Sequence, residues 1–324
     1  MGSTAASSTC LKAILRLQPR LKVVGLVTQP DRPAGRHRAL TPCPCKAYAN
    51  ENGIKDCITP ENVNSPEALA QIKAWNPDVI VVVAFGQFLG KTLLELPPLG
   101  CVNCHFSLLP RHRGASPVNA AIAAGDNLSG ASVIKIGEGM DDGPVYRQAV
   151  EPIYSDDNSE TLMDRLAITG AVALAATLKQ MEAGRQPPPV PQVQEEATYA
   201  HKMKRADGLI DWSAQSRVIE RKFRAFQPWP GVFTFLPRRM RKANSMGRLV
   251  IGSLEFLEEG AWNPAWRAEL PGTVLAATDR GPIVKTGDTG LLLTALQPEG
   301  GRMLAGREFL HGRALKPLAD MLGA

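Results

Sequence analysis

Residues 101–116, CVNCHFSLLPRHRGAS, place an amide, an imidazole and a hydroxyl at Asn103, His105 and Ser107, alternate positions of an otherwise apolar run. A strand turns successive side chains to opposite faces, so the three project together until Pro110 and Gly114 force a turn. In an open parallel sheet the carboxyl end of a strand opens into the ligand crevice, so the row faces a pocket mouth. A neutral imidazole beside a carboxamide can move a proton and hold an oxyanion. The carboxylate needed to orient that imidazole is supplied by GEGMDDGP, residues 137–144, with Glu138, Asp141 and Asp142 on a Gly-rich loop after the next strand. No GxSxG elbow occurs, and Cys104 alternates away from His105, which argues against a covalent acyl-enzyme. The constellation points to acyl or one-carbon transfer without a covalent intermediate. A polar cluster satisfied inside the sheet would show the same spacing.

The elements that must position these residues alternate. KVVGLVTQ (22–29), PDVIVVVAF (77–85), GCVNCHFS (100–107) and GASVIKIGEG (130–139) read as strands. SPEALAQIKAWN (65–76), with a Ser cap and Glu67 in its first turn, and SPVNAAIAAGD (116–126) read as helices between them. This rhythm predicts an α/β fold, a Rossmann-like, mainly parallel sheet with helices on both faces, closed by a long helix over 159–184. GRQPPPVPQVQEEATYA (184–200) suits neither helix nor central strand. The expected organisation is a catalytic domain over 1–185, a linker over 186–204 and a C-terminal domain over 205–324. In the last, a helix over 210–226 precedes short Gly- and Pro-broken strands, the pattern of a small, OB-like β-barrel.

With 324 residues, 44% of them hydrophobic, the chain can bury a core in each of two domains. The longest apolar run, VIVVVAF from Val79, is strand length, so no membrane association is expected. The N-terminus lacks a secretory core; being rich in Ser, Ala and Arg and free of acids before Asp31, it leaves a transit peptide open. Residues 1–199 hold 18 Lys/Arg against 19 Asp/Glu, whereas 200–324 hold 19 against 12, a net of +7. Such an excess suits a polyanionic partner, and a solvated basic surface equally. Six cysteines, all in the first third, suit a reducing compartment. No metal is expected, since Cys101 and Cys104 alternate to opposite strand faces.

At the Asn103 and His105 stretch the sequence resembles the formyltransferase family that uses 10-formyltetrahydrofolate, most of all its branch acting on initiator methionyl-tRNA. Six blocks carry the resemblance in order: TQPDRPAGR (28–36), VVVAFGQFL (81–89), NCHFSLLPRHRGASPV (103–118), GMDDGP (139–144), IDWS (210–213) and RAFQPWPG (224–231). The resemblance implies that Asn103 and His105 are the catalytic amide and imidazole and Asp141 the catalytic aspartate. It implies that Ser107, Leu108, Leu109 and Pro110 line the folate site, that Phe85 and Gly86 mark the strand end accepting the pterin, and that Arg36 lies in a basic loop meeting the tRNA acceptor stem. The implied co-substrate is 10-formyltetrahydrofolate, and the implied partners are that folate and initiator methionyl-tRNA. DNA is not expected as a partner, and the chain is expected to be a monomer. The setting is the bacterial cytoplasm, or a mitochondrion or plastid if the source is eukaryotic. Arg221, Lys222, Arg224, Arg238, Arg239, Arg241 and Lys242 crowd one interval of the basic C-terminal part and are the candidates for tracking a tRNA backbone. A formyltransferase acting on an amino-sugar nucleotide or ribonucleotide would share the Asn/His/Asp set, and a pure tRNA-binding module would share only the basic tail.

The chain departs from the family in two places. Family members open on an apolar central strand leading into a Gly-rich turn, whereas here MGSTAASSTCLKAIL begins at the turn, with Gly2-Ser3-Thr4 in its place. The first strand is therefore expected to be missing, which would leave ladder groups unpaired mid-sheet. Pro144 also follows Gly143 where a flexible polar residue is more usual.

Overall fold

The computed structural model describes residues 1–34, 39–241, 245–312 and 315–323. In chain order the first part comprises α1 (Ala5–Leu15), β1 (Leu26–Val27), β2 (Arg32–Ala34), β3 (Ala39–Thr41), α2 (Pro44–Glu51), β4 (Cys57–Ile58), α3 (Pro66–Ala74), β5 (Ile80–Val82) and α4 (Lys91–Leu94). It continues with β6 (Cys101–His105), β7 (Arg113–Gly114), α5 (Pro117–Ala124), β8 (Leu128–Lys135), β9 (Val145–Pro152), α6 (Ser159–Glu182) and β10 (Tyr199–Ala200). Next come α7 (Ser216–Ala225), β11 (Val232–Phe235), β12 (Arg248–Phe256), β13 (Val274–Ala277), β14 (Pro282–Lys285), β15 (Gly290–Pro298), β16 (Leu304–Ala305) and α8 (Gly306–Gly312). Two compact units divide the chain: Met1–Ala121 with Asp126–Ser155 and Thr161–Lys202, and Ile122–Gly125 with Asp156–Glu160 and Met203–Ala324.

In the first unit β1 pairs in parallel with β4, and β5 in parallel with β6. β8 runs antiparallel to β6, and β9 antiparallel to β8. The sheet is thus parallel through β6 and antiparallel at its far edge. In consequence, loop 136–144 is the tip of a β8–β9 hairpin, which folds back to the middle of β6 instead of leaving the same sheet end. α3 begins where expected: the Ser65 hydroxyl accepts from the Ala68 N–H at 3.3 Å, and Pro66 occupies the first turn. α6 lays Leu162, Leu166, Leu174 and Leu178 in its buried stripe. At Gly170 it comes so close to the sheet that a Cβ would stand 2.8 Å from Cys104 Sγ and 3.1 Å from Ala131 Cβ. This 24-residue helix is long and apolar enough to cross a membrane, but half of its apolar window is buried within the protein.

Met1 and Gly2 stand between β1 and β5. The Gly2 N–H donates to Val27 O at 3.1 Å, the Val83 N–H to Met1 O at 2.9 Å, and the Met1 ammonium to Val81 O at 2.5 Å. Beside these two residues lies a cavity of about 160 Å³, lined among others by Val23 to Leu26, Val79 to Val81, Cys10, Leu11 and Trp75. The turn that follows is well made: Thr4 and Ser7 form a reciprocal capping box at the start of α1, and the Ser7 hydroxyl donates to Val83 O at 2.6 Å.

The stretch expected as a linker belongs to the first unit as far as Lys202. Val190 exchanges two backbone hydrogen bonds with Val145, of 2.7 and 2.8 Å, and β10 pairs in parallel with β7. The second unit is built on an antiparallel sheet of order β11-β12-β15-β14-β13, with β16 on β15. Register shifts at Ile251–Leu254 and Val274–Ala276 mark the bulges that bend such a sheet. Its β11 edge is covered by Leu209 bridging Phe233, and its β13 side by Met321 bridging Thr273.

Candidate active site

β6 alternates as its sequence requires, and its two faces do different work. Val102 and Cys104 share one face and are buried, while Asn103 and His105, on the other, are among the residues that line a cleft of about 480 Å³. Phe85, Gly86 and Phe88 on the loop after β5, Gly114 and Ala115 after β7, Met140 and Asp141 on the hairpin tip, and Met163 of α6 complete much of its wall. Two carboxamides hold the first of these loops. Gln29 Nε2 donates to Phe85 O at 3.0 Å, and Gln87 accepts from the Val63 N–H at 2.7 Å while donating to Pro60 O at 2.9 Å.

Asn103, His105 and Asp141 meet. Asn103 Nδ2 donates to Asp141 Oδ1 at 3.2 Å, and Asp141 Oδ2 lies 3.4 Å from His105 Nδ1. The Gly114 N–H donates to the same Oδ2 at 2.9 Å. His105 Nε2 stands 2.9 Å from the backbone oxygen of His112. A carbonyl oxygen can only accept, so Nε2 carries hydrogen, and Nδ1 is the nitrogen that faces the carboxylate. The imidazole, 6% exposed, can therefore hold a second proton only at the position shared with Asp141.

The backbone around this junction is unusual for chemical reasons. Asp141 has φ +50° and His112 φ +59°, left-handed conformations that cost a non-glycine residue about 1 to 3 kcal/mol unless fixed from outside. His112 is fixed by its own side chain, whose Nε2 is 2.7 Å from Asp126 Oδ2, and by its N–H, which donates to Thr198 Oγ1 at 2.8 Å. Arg111 reaches the two oxygens of Asp126 at 2.8 and 3.1 Å. Gly114, at φ +113°, admits no side chain, because a Cβ would stand 2.5 Å from Ala200 O.

Of the expected folate-site residues, Phe85 and Gly86 line the cleft, whereas Ser107, Leu108, Leu109 and Pro110 do not. The Ser107 hydroxyl turns into its own loop and donates to Arg111 O at 2.6 Å, and Leu109, with 5% exposure, is part of the core. The third member of the alternating row is thus spent on shaping the turn that carries His112. Sequence spacing missed the His112 carbonyl and the Gly114 N–H, since any residue supplies a backbone group; the only signal was the break itself, LLPRHRG. Among the described residues no group of three His, Cys, Asp or Glu is placed to hold a metal ion.

The basic candidates are mostly engaged within the protein. The Arg221 guanidinium packs against Gly125, where a Cβ would come within 2.2 Å of it. Lys222 Nζ donates to Leu209 O at 2.7 Å and lies 5.5 Å from the centre of the Phe226 ring. Its partial burial holds the amine below the ordinary lysine value. Arg224 pairs with Glu220 at 2.5 Å and donates to Asp157 O at 2.9 Å. Arg239 pairs with Asp320; burial alone would raise that carboxyl, but the guanidinium and the Lys316 N–H hold it below its ordinary value. Arg241 Nε donates to Leu236 O at 2.8 Å. Arg238 is exposed, and Arg36 and Lys242 lie outside the described residues.

Known proteins similar to this chain share one family. Residues 2–178 match the family model described as formyl transferase, and residues 202–314 that of the formyl transferase C-terminal domain. A methionyl-tRNA formyltransferase of Citrifermentans bemidjiense is 39% identical over 91% of this chain and 87% of its own. One from Symbiobacterium thermophilum is 41% identical over 96% and 91%. In fold, the chain is similar to an N-formyltransferase of Helicobacter canadensis solved with folinic acid and dTDP-3-aminofucose, at TM-score 0.61 and 15% identity over 90% of this chain and 96% of that one. With both domain models matched and such relatives along nearly its whole length, this chain belongs to the formyl transferase family, among the methionyl-tRNA formyltransferases.

Proposed function

We propose that the chain transfers the formyl group of 10-formyltetrahydrofolate to the free amino group of methionine on initiator tRNA, giving N-formylmethionyl-tRNA for translation initiation. The observation that carries the reading is the convergence of Asn103, His105 and Asp141 on one cleft, in a chain whose relatives are named for this reaction. The cleft suits a folate. Its volume is that of a small-molecule site, Phe88 offers exposed flat apolar surface, and the turn at Ala84 and Gly86 offers backbone groups to a ring edge. The relatives are bacterial, and we place the reaction in the bacterial cytoplasm, performed by a single chain.

The folate supplies a formyl carbon open to attack by an amine. As the new C–N bond forms, negative charge gathers on the formyl oxygen. Asn103, with one N–H on Asp141, has a second to offer that oxygen, and His105 brings positive charge to the same place. Asp141 collects the proton that the amine loses, His105 gives its Nδ1 proton to the leaving nitrogen as the old C–N bond breaks, and Asp141, 3.4 Å away, then passes the collected proton to Nδ1, which restores both groups. The His112 carbonyl keeps the ring from turning during both transfers.

For the tRNA backbone we favour the exposed Lys202, Lys204, Arg205, Arg217 and Arg238 over the internally paired arginines. Log affinity should fall linearly with log salt, and Lys204→Ala and Arg205→Ala should each reduce the slope by about one. Arg239→Ala should instead lower Tm, since it strands the buried Asp320, and leave the slope alone. The reverse pattern would restore the paired arginines as the tRNA contacts.

Incubation with 10-formyltetrahydrofolate and charged initiator tRNA should yield formyl-methionine. Product only from an amino-sugar nucleotide would overturn the reading. Asn103→Ala, His105→Ala and Asp141→Ala should each lower kcat by about a hundredfold or more with tRNA affinity nearly unchanged. A near-normal rate in the His105 variant would contradict the mechanism.

A further inference from the structure

We infer that Gln192, in the stretch that reads as a linker, is a positioning residue that locks the catalytic Asp141 loop to the backbone holding His105. Its carboxamide is 9% exposed and fully used. Nε2 donates to the backbone oxygens of Asp141 at 2.8 Å and Gly143 at 2.7 Å. Oε1 accepts from Arg113 Nε at 3.0 Å and Nη2 at 2.7 Å. Two donors and two lone pairs exhaust an amide, and because carbonyls can only accept and a guanidinium only donate, the group cannot be flipped.

What the clamp joins gives it this role. Arg113 is 2% exposed, and its third anchor is Gln194 Oε1, 2.8 Å from Nη1. Its chain neighbours supply the two backbone groups on which the site depends: the His112 oxygen that holds His105 Nε2 and the Gly114 N–H that holds Asp141 Oδ2. Gln192 thus ties one loop through a buried guanidinium and the other through the carbonyl of Asp141 itself. Around it the same segment is fastened at both ends, by Val190 to Val145 and by β10 to β7. Asp141 sits at φ +50°, a conformation the loop would leave if the two carbonyl contacts were withdrawn. Catalysis needs the carboxylate placed to within a fraction of an ångström, so such a contact acts on turnover before it acts on folding.

The inference rests on the reading of Asp141 as the catalytic carboxylate, and the test separates the two. In the full-length protein, Gln192→Glu keeps both acceptor positions for Arg113 but turns lone pairs towards the carbonyls of residues 141 and 143. We expect kcat to fall about 30-fold or more, KM for folate and Met-tRNA to stay within about threefold, and Tm to stay within about 4 °C. A structural role alone would lower Tm and the fraction of active protein while leaving kcat per folded site unchanged. A kcat within about threefold of the parent overturns the inference. Should the glutamate variant fail to fold, Gln192→Met, which keeps the volume and brings no charge, is judged by the same kcat criterion. Full activity in a parallel Asp141→Asn variant would instead bring down the reading of the aspartate.

Discussion

Everything in the cleft depends on one carboxylate held where a carboxylate would not go by itself. Asp141 occupies a left-handed backbone position at the tip of a hairpin, and its two oxygens are divided among the Asn103 amide, the His105 ring and the Gly114 N–H. Each contact constrains another. The Gly114 N–H fixes the oxygen that faces His105, and the His112 carbonyl two residues earlier fixes which ring nitrogen faces that oxygen. The proposed reacting set is therefore positioned by backbone groups of one short turn, and the side chains of Ser107, Asp126 and Arg113 are used to build that turn.

The sheet beneath explains why the strained positions hold. β6 is flanked on both sides by paired strands and covered at Gly170 by α6, so Asn103 and His105 have little freedom to follow a moving loop. The hairpin tip is held by four groups from outside it, the Asn103 amide, the His105 ring, the Gly114 N–H and the Gln192 amide. On the other side of the sheet, the backbones of Met1 and Gly2 bond to Val83 and Val27 at the end nearest the cleft.

Much of this was legible in the residues. Alternation in CVNCHFS marked a strand with a polar face, and a Gly-rich acidic loop marked the missing carboxylate, because both signals are carried by side-chain type and period. The Ser65 cap and the buried stripe of α6 were readable for the same reason. The antiparallel direction of β8 was not, since a continuous apolar strand looks the same in either direction. Proline-rich composition around residues 186–190 spoke against helix, yet it hid a docked segment, because Gln192 works through the backbone of one distant loop and the Arg113 guanidinium of another. Charge crowding over residues 221–242 was visible as well. Spacing alone, however, does not say that Arg224 will meet Glu220 or that Arg239 will meet Asp320, 81 residues away.

The most direct test of this account is the state of the His105 ring, read by ¹⁵N NMR on protein labelled at histidine. The hydrogen bond to the His112 carbonyl requires Nε2 to carry hydrogen throughout, with Nδ1 alone gaining or losing a proton against Asp141. A ring protonated at Nδ1 and bare at Nε2 would contradict it, because the turn would then not hold the imidazole and the shared position beside the carboxylate would be lost.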